Sequence, residues 1–106
     1  MKQFQDYLAT FPSIEHLNRI DLIDTQGTVA HSIPAIEGKL GSLKLYNALA
    51  LKFHGELNRE SAQQGLLWFA ELVEDAQKNI GKHPNIDLLL EVVKHNLNYR
   101  LQPISK

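Results

Sequence analysis

The chain has 106 residues and a mass of 12.0 kDa, which is enough for one domain with a packed core of its own. Its 11 Lys and Arg residues nearly balance 12 Asp and Glu residues, and the net charge of −1 argues against a surface dedicated to nucleic acid or to anionic membranes. The chain has no Cys, which excludes disulfide bonds, a zinc site built on Cys and a thiol nucleophile. We therefore expect residues 1–106 to form a single compact domain that depends on packing alone.

The first predicted element is a short amphipathic helix. Aromatic and apolar residues recur at helical spacing over residues 4–11, and Pro12 ends the pattern. Ser13 is suited to cap a further helical turn over residues 14–17. The N-terminal region therefore predicts one helix followed by a single turn.

A β-hairpin is predicted next. Polar and apolar residues alternate over residues 19–23 and again over 28–33, as in strands with one buried face. The segment Asp24–Gly27 between them has the composition of a hairpin turn, and Gly27 suits the positive φ of a bulged turn. His31 lies on the apolar side of its strand, which is more typical of a hydrogen-bonded core histidine than of a catalytic one.

A loop over residues 34–41 precedes a predicted helix over residues 42–53, whose apolar residues share one face and which Gly55 closes. The alternative is a strand over residues 43–46 before a shorter helix, because apolar and polar residues alternate there as well. We prefer the helix.

The longest predicted helix covers residues 59–79. Asn58 is suited to cap its first turn, and Gly81 provides its C-terminal stop. Six residues form its expected buried stripe: Ala62, Leu66, Phe69, Ala70, Val73 and Ala76.

The last predicted helix runs from Ile86 to about Asn96, with Asn85 as its cap. Its apolar residues cover more than half of the circumference, so we expect it to be buried on two sides. Residues 98–103 alternate again and are predicted to add a third strand to the hairpin, with Pro103 at an end or an edge.

This order of elements predicts an α+β fold, in which a small antiparallel sheet (the hairpin and the C-terminal strand) packs against three or four helices. The other face of the sheet, with Asp21, Ala30 and Ser32, is either solvated or covered by a second subunit. The predicted core contains eight residues: Ile20, Leu22, Leu49, Leu66, Phe69, Val73, Leu89 and Val93.

The start of the last helix is the candidate ligand site. The free N–H groups and the dipole of a helix N-terminus attract anions, and Lys82 is adjacent. His83 could act as an acid or base oriented by Asp87, while Lys82 holds a carboxylate or phosphate. The alternative is an ordinary helix start, in which Asp87 favours the positive end of the dipole.

Two further patterns are weaker candidates for a binding site. The segment Gly38–Ser42 precedes a helix, but it lacks the residue order of a phosphate-binding loop. Asp87, Glu91 and His95 recur every four residues, but Lys94 lies on the same strip and would repel a cation. We therefore expect no metal site, no cofactor and no identified catalytic residue, and the balanced charge makes nucleic acid a poor candidate for a partner.

Three apolar residues fit a monomer poorly. Leu67 and Trp68 project away from the buried stripe of the longest helix, in directions about 100° apart. Leu51 is likewise off the buried stripe of its own helix. These residues predict a contact surface for a second copy or another protein, with at least one of Leu67 and Trp68 exposed in the isolated subunit.

Three segments resemble a family of small bacterial proteins that carries a domain of unknown function. They are Gly41–Ala50 (GSLKLYNALA), Gly81–Asp87 (GKHPNID), and the opening with Leu17 and residues 20–27. The resemblance covers nearly the whole chain and implies one complete domain from a bacterial cytoplasm. It implies no activity, substrate or site residue.

The sequence thus favours a noncatalytic protein-interaction or self-associating module of the bacterial cytoplasm. The alternative is a small enzyme or anion-binding protein that uses Lys82, His83 and Asp87. The longest apolar run covers only residues 66–70, far below the roughly 20 residues that span a bilayer, so we expect no membrane association. A concave pocket shared by Lys82, His83 and Asp87 would favour the ligand-binding alternative.

Overall fold

The computed structural model describes residues 2–106 as an α+β fold, in which helices pack on one face of an antiparallel sheet, as predicted. The helices are α1 (Phe4–Leu8), α2 (Leu40–Lys52), α3 (Arg59–Phe69), α4 (Leu72–Lys78) and α5 (Pro84–His95). The strands are β1 (Leu17–Ile23), β2 (Val29–Pro34), β3 (Glu56–Leu57) and β4 (Tyr99–Ser105).

The sheet has the strand order β2-β1-β4-β3, and all neighbouring strands are antiparallel. Leu22 in β1 pairs with His31 of β2 on one side and with Leu101 of β4 on the other. The C-terminal strand therefore joins the hairpin as predicted. Strand β3 was not predicted; it has only two residues and pairs with Tyr99 and Arg100.

The position of Pro103 in β4 is explained by the shortness of β3. The Leu101 N–H donates to the Gly55 carbonyl on the β3 side of the strand, at 2.6 Å. Backbone groups two residues apart point to the same side, so Pro103 directs its hydrogen-free nitrogen past the end of β3. Proline is tolerated here because, among the strands of residues 2–106, β4 has no neighbour on that side at that level.

The hairpin turn is held by the Asp24 carboxylate. Its Oδ1 accepts the backbone N–H groups of Gln26 at 2.9 Å and Thr28 at 3.0 Å. Gly27 has a φ of +85°, which residues with a Cβ rarely adopt. The sequence prediction of the turn and of its glycine is confirmed.

Helix α2 begins at Leu40, so the alternative of a strand over residues 43–46 is wrong. The helix lies between the sheet and α3, and it is buried on most of its circumference. Gly65 of α3 permits this packing, because a Cβ there would lie 2.8 Å from Leu89 Cδ1 and 3.0 Å from Leu49 Cδ1. Helices α2, α3 and α5 therefore meet at Gly65.

The longest predicted helix is in fact two helices. The chain breaks at Ala70, whose φ of 52° and ψ of −121° are not helical, and α4 starts at Leu72. The break coincides with tertiary contacts: the Glu71 Oε1 accepts the backbone N–H of Phe4 at 2.8 Å, and the rings of Phe4 and Phe69 stack at 5.3 Å. Residues 69–72 contain no Gly or Pro, so no local signal predicted the break.

The predicted core is largely correct. Five of the eight residues are buried: Ile20, Leu22, Leu49, Phe69 and Leu89. The other three, Leu66, Val73 and Val93, are half-buried and pack against the same cluster.

The outer face of the sheet holds a buried carboxylate. Asp21 is only 7% exposed, while Ala30 and Ser32 on the same face are exposed. Its Oδ1 accepts the Ser32 hydroxyl at 2.7 Å and the Arg19 Nε–H at 2.9 Å. Desolvation raises the pKa of Asp21, but these two hydrogen bonds outweigh it and hold the pKa below its ordinary value.

Candidate functional site

The starts of α2 and α5 line one cavity of about 440 Å³, which we call the α2–α5 cleft. The segments Gly38–Ser42 and Lys82–Ile86 form its polar wall. The apolar wall comes from α1, α3, α4 and the start of α2: Phe4, Leu8, Leu40, Phe69 and Leu72. Two segments that the sequence analysis treated separately therefore share one cavity.

Both helix starts leave backbone N–H groups free of side-chain caps. Helix α2 has Lys39 as its N-cap residue and α5 has His83, and neither side chain caps its helix. Pro84 occupies the first turn of α5, where an N–H would have no partner within the helix. The positive ends of two helix dipoles are thus located at this cleft.

Close packing of α1 against α2 gives the cleft its shape. A Cβ at Gly41 would lie 3.3 Å from the Phe4 ring, so the glycine allows this ring to approach the first turn of α2. The Phe4 ring in turn stacks on Phe69. The apolar wall is therefore fixed by contacts that also hold the fold together.

Asp75 of α4 holds the side chains of Lys82 and His83 next to the cleft. Its Oδ2 lies 2.6 Å from His83 Nε2 and 3.1 Å from Lys82 Nζ. The hydrogen bond from His83, and then the one from Lys82, keep the pKa of Asp75 below its ordinary value. Asp75 therefore stays ionised and offsets one positive charge.

The predicted role of Asp87 is different in the structure. Its Oδ2 accepts the backbone N–H of Gly81 at 3.1 Å, and Asp87 does not line the cleft. The acid that orients His83 is Asp75, which the sequence analysis missed. No local signal points to Asp75, because the two residues meet only through the packing of α4 on α5.

Asn85 connects the cleft to the core. The residue is 5% exposed, and its side-chain Oδ1 lies 2.8 Å from His31 Nε2. Its backbone carbonyl accepts the hydroxyl of Tyr46 at 2.6 Å, and burial raises the pKa of Tyr46. His31 is thus hydrogen-bonded against the helical layer, as the sequence analysis expected.

Lys39 differs from Lys82 in its electrostatic environment. Lys82 and His83 both pair with Asp75. Within residues 2–106, Lys39 forms no ion pair. Lys39 is half-buried and lines the cleft directly. It is the charge in the cleft that no acid offsets.

Asp87, Glu91 and His95 on α5 do not come together as a metal site in the structure. Glu91 Oε2 pairs with His95 Nε2 at 3.0 Å, while Asp87 binds the Gly81 amide. Among the residues that the structure describes, no three His, Asp or Glu side chains cluster closely enough to hold a metal ion.

The predicted contact residues have different environments. Leu51 is 61% exposed and Leu67 is 59% exposed. Trp68 is half-buried, because its ring packs on Phe11 with the centroids 4.7 Å apart, and Lys52 Nζ lies 5.6 Å from its centroid. Exposure of Leu67 agrees with the prediction for the isolated subunit, and whether a partner covers it stays a prediction.

A family model described as "Uncharacterized protein conserved in bacteria (DUF2322)" matches residues 4–103. The chain belongs to this family. The DUF2322 match includes both helix starts of the α2–α5 cleft, and it confirms the resemblance found in the sequence. Neither a search of curated proteins nor a search of solved structures found a match.

The helices of this DUF2322 chain are all short. In the part of the chain that the structure describes, none has the length and apolarity that crossing a bilayer requires.

Proposed function

We propose that the protein binds a small anion in the α2–α5 cleft. The observation that carries this proposal is that Gly38–Ser42 and Lys82–Asn85, far apart in the sequence, line one cavity. Each segment contributes a helix N-terminus and a lysine to it. Ligand pockets of this kind combine an apolar wall with a few convergent polar groups.

His83 adds acid–base capacity to the proposed site. Its Nε2 is engaged by Asp75 at 2.6 Å, which fixes the ring beside the cleft. A histidine oriented by a carboxylate is a common proton-transfer group in enzymes. The small-enzyme alternative therefore rests on Asp75 and His83 rather than on Asp87.

Backbone NMR with inorganic phosphate and acetate as probes tests the proposal. We expect millimolar additions to shift the amide signals of Gly41, Ser42 and Asn85, and to perturb the imidazole of His83. The shifts should weaken with added salt, because screening reduces the attraction between the anion and the cationic wall.

A matched pair of lysine variants gives the control. Lys39→Gln removes the unpaired charge in the cleft, whereas Lys44→Gln removes a charge from the same helix outside it. We expect loss of binding in the first variant only. Equal effects of both variants, or the absence of shifts with every anion, would contradict the proposal.

As a second function we propose self-association in the bacterial cytoplasm through a groove around Leu67. The groove has a volume of about 810 Å³. Its apolar residues are Tyr7, Leu66, Leu67, Ala70 and Val73, and its charged residues are Lys2, Glu71 and Glu74. A second copy related by a two-fold axis fits this surface, because each copy offers both a cation and acids to the other.

Light scattering across a concentration series tests self-association. We expect a wild-type dimer, a monomeric Leu67→Glu variant and a dimeric Leu51→Glu variant. Leu51 is a matched control because it is equally exposed but does not line the Leu67 groove. A wild type that stays monomeric would overturn self-association, and a disruptive Leu51→Glu would exclude this groove as the interface.

A further inference from the structure

We infer that the ligand of the α2–α5 cleft is a monocarboxylate with a short apolar body. This inference rests on the proposed anion-binding function and adds the chemical class of the ligand. Three features carry it: the unpaired lysine of the cleft, an unused donor on Asn85, and the apolar wall of the cleft.

The charge of the cleft matches a single negative charge. Lys39 and Lys82 line the cavity, and the Asp75 carboxylate offsets one of the two charges. Of the two lysines, Lys39 is the one left without an acid within residues 2–106. A carboxylate balances it, whereas a phosphate dianion would leave a partly buried negative charge without a partner.

Asn85 supplies a donor that the fold does not use. Its Oδ1 is occupied by His31, and its Nδ2 donates to no atom within residues 2–106. Over the same residues, no side-chain nitrogen or oxygen is both fully buried and unpaired, so this Nδ2 reaches accessible space. The cavity that Asn85 lines is the α2–α5 cleft. We assign this amide as a donor to the carboxylate in the cleft, because Asn85 is only 5% exposed and its Nδ2 has no partner within residues 2–106.

The apolar wall indicates the chemistry of the body that carries the carboxylate. Leu8, Leu40 and Leu72 line the cavity together with the polar residues Gln5 and Ser42, and the three leucines offer apolar contact only. Leu40 is exposed although it lies in the first turn of α2. An alkyl chain of a few carbons would cover these side chains while its carboxylate meets Lys39 and Asn85.

Titrations followed by amide shifts test the ligand class with acetate, butyrate, hexanoate, n-butanol and inorganic phosphate as probes. We expect affinity to rise about 3-fold for each added methylene group, because each buries more apolar surface. Butyrate should bind at least 10-fold more tightly than n-butanol, which has the same number of carbons, a slightly longer apolar body and no charge. The Asn85 side-chain NH₂ signals should shift with the carboxylates.

Two variants separate the contributions. Lys39→Gln should weaken butyrate at least 10-fold, and Lys44→Gln should leave it unchanged. Asn85→Asp keeps an oxygen for His31 but replaces the amide by a negative charge, so it should abolish carboxylate binding. If the Asn85 variant does not fold, the NH₂ signals of the wild type report the same contact directly.

The outcomes distinguish failure of the ligand class from failure of the anion site itself. Phosphate that binds through Lys39 while no carboxylate binds would overturn the ligand class and leave the anion site standing. Equal binding of n-butanol and butyrate would also overturn the class. Absence of shifts with every probe would overturn both.

Discussion

Ala70 adopts a backbone conformation that favours glycine. Its φ of 52° with a ψ of −121° brings Cβ into conflict with the neighbouring backbone, and such residues store of order 1–3 kcal/mol. The position is maintained by its surroundings, since Glu71 must turn to reach the N–H of Phe4. The backbone strain of the junction between α3 and α4 is therefore concentrated at Ala70.

We predict that Ala70→Gly stabilises the protein by about 1 kcal/mol, because the relief of backbone strain exceeds the added entropy of the unfolded chain. Chemical denaturation measures the change. Ala48→Gly is the control. Ala48 lies inside α2, so we expect this variant to lose about 1 kcal/mol in its free energy of unfolding. A destabilised Ala70→Gly variant would show that the junction is not strained.

At the scale of elements, the sequence predicted the helices and strands that local residue patterns specify. The hairpin, α2 and β4 are specified by alternation, turn residues and helical periodicity. The break at Ala70 and strand β3 are not, because Glu71 and Glu56 have their roles only through contacts with distant residues. The cleft shows the same division: Lys82 and His83 were predicted from the helix start, and Asp75 needed the packing of α4.

The burial of α3 supports a second prediction. Phe69 is buried and stacks on Phe4, so Phe69→Ala should destabilise the fold by about 2–5 kcal/mol through lost burial and a cavity. At protein concentrations low enough to keep the chain monomeric, Leu67→Ala, two residues away on the exposed side, should change stability by less than about 0.5 kcal/mol. Similar thermal stabilities of the two variants would mean that the faces of α3 are wrongly assigned.

The contacts of Asp75 in α4 with His83 and Lys82 predict that the stability of the fold depends on pH. The pKa of Asp75 is lowered from 3.8 by its hydrogen bonds to His83 and Lys82, so its contribution to folding is present above the pKa of the unfolded chain. The contribution is lost as the pH falls through the folded pKa. We expect the stability difference between wild type and Asp75→Asn to shrink as the pH falls from about 5 to about 2.

Urea denaturation at several pH values measures this difference. Glu74→Gln provides the comparison at protein concentrations that keep the chain monomeric, because Glu74 makes an exposed pair with Lys78 at 2.9 Å in the same helix. Such exposed pairs contribute little, so this variant should stay close to wild type throughout. A difference for Asp75→Asn that persists undiminished at low pH would assign its effect to packing rather than to charge.

At the scale of the whole molecule, the helical layer leaves two surfaces of different character. The outer face of the sheet is polar at its centre, where Arg19 and Ser32 satisfy the buried carboxylate of Asp21. The α2–α5 cleft lies on the helical side, where four separate parts of the chain meet. Because α1, the start of α2, the junction of α3 and α4, and the start of α5 form it together, the cleft exists only in the folded state.

Ligand binding should therefore stabilise the whole fold. A ligand at about ten times its Kd, bound only to the native state, adds about 1.4 kcal/mol. For a domain of this size that corresponds to a rise in Tm of about 6–11 °C. We expect hexanoate to raise the Tm of the wild type and of Lys44→Gln by this amount, and to raise that of Lys39→Gln by no more than about 3 °C, since binding at least 10-fold weaker leaves at most about 0.4 kcal/mol. An unchanged Tm at concentrations that saturate the amide shifts would mean that the ligand binds the unfolded chain equally well, and that the cleft is not its site.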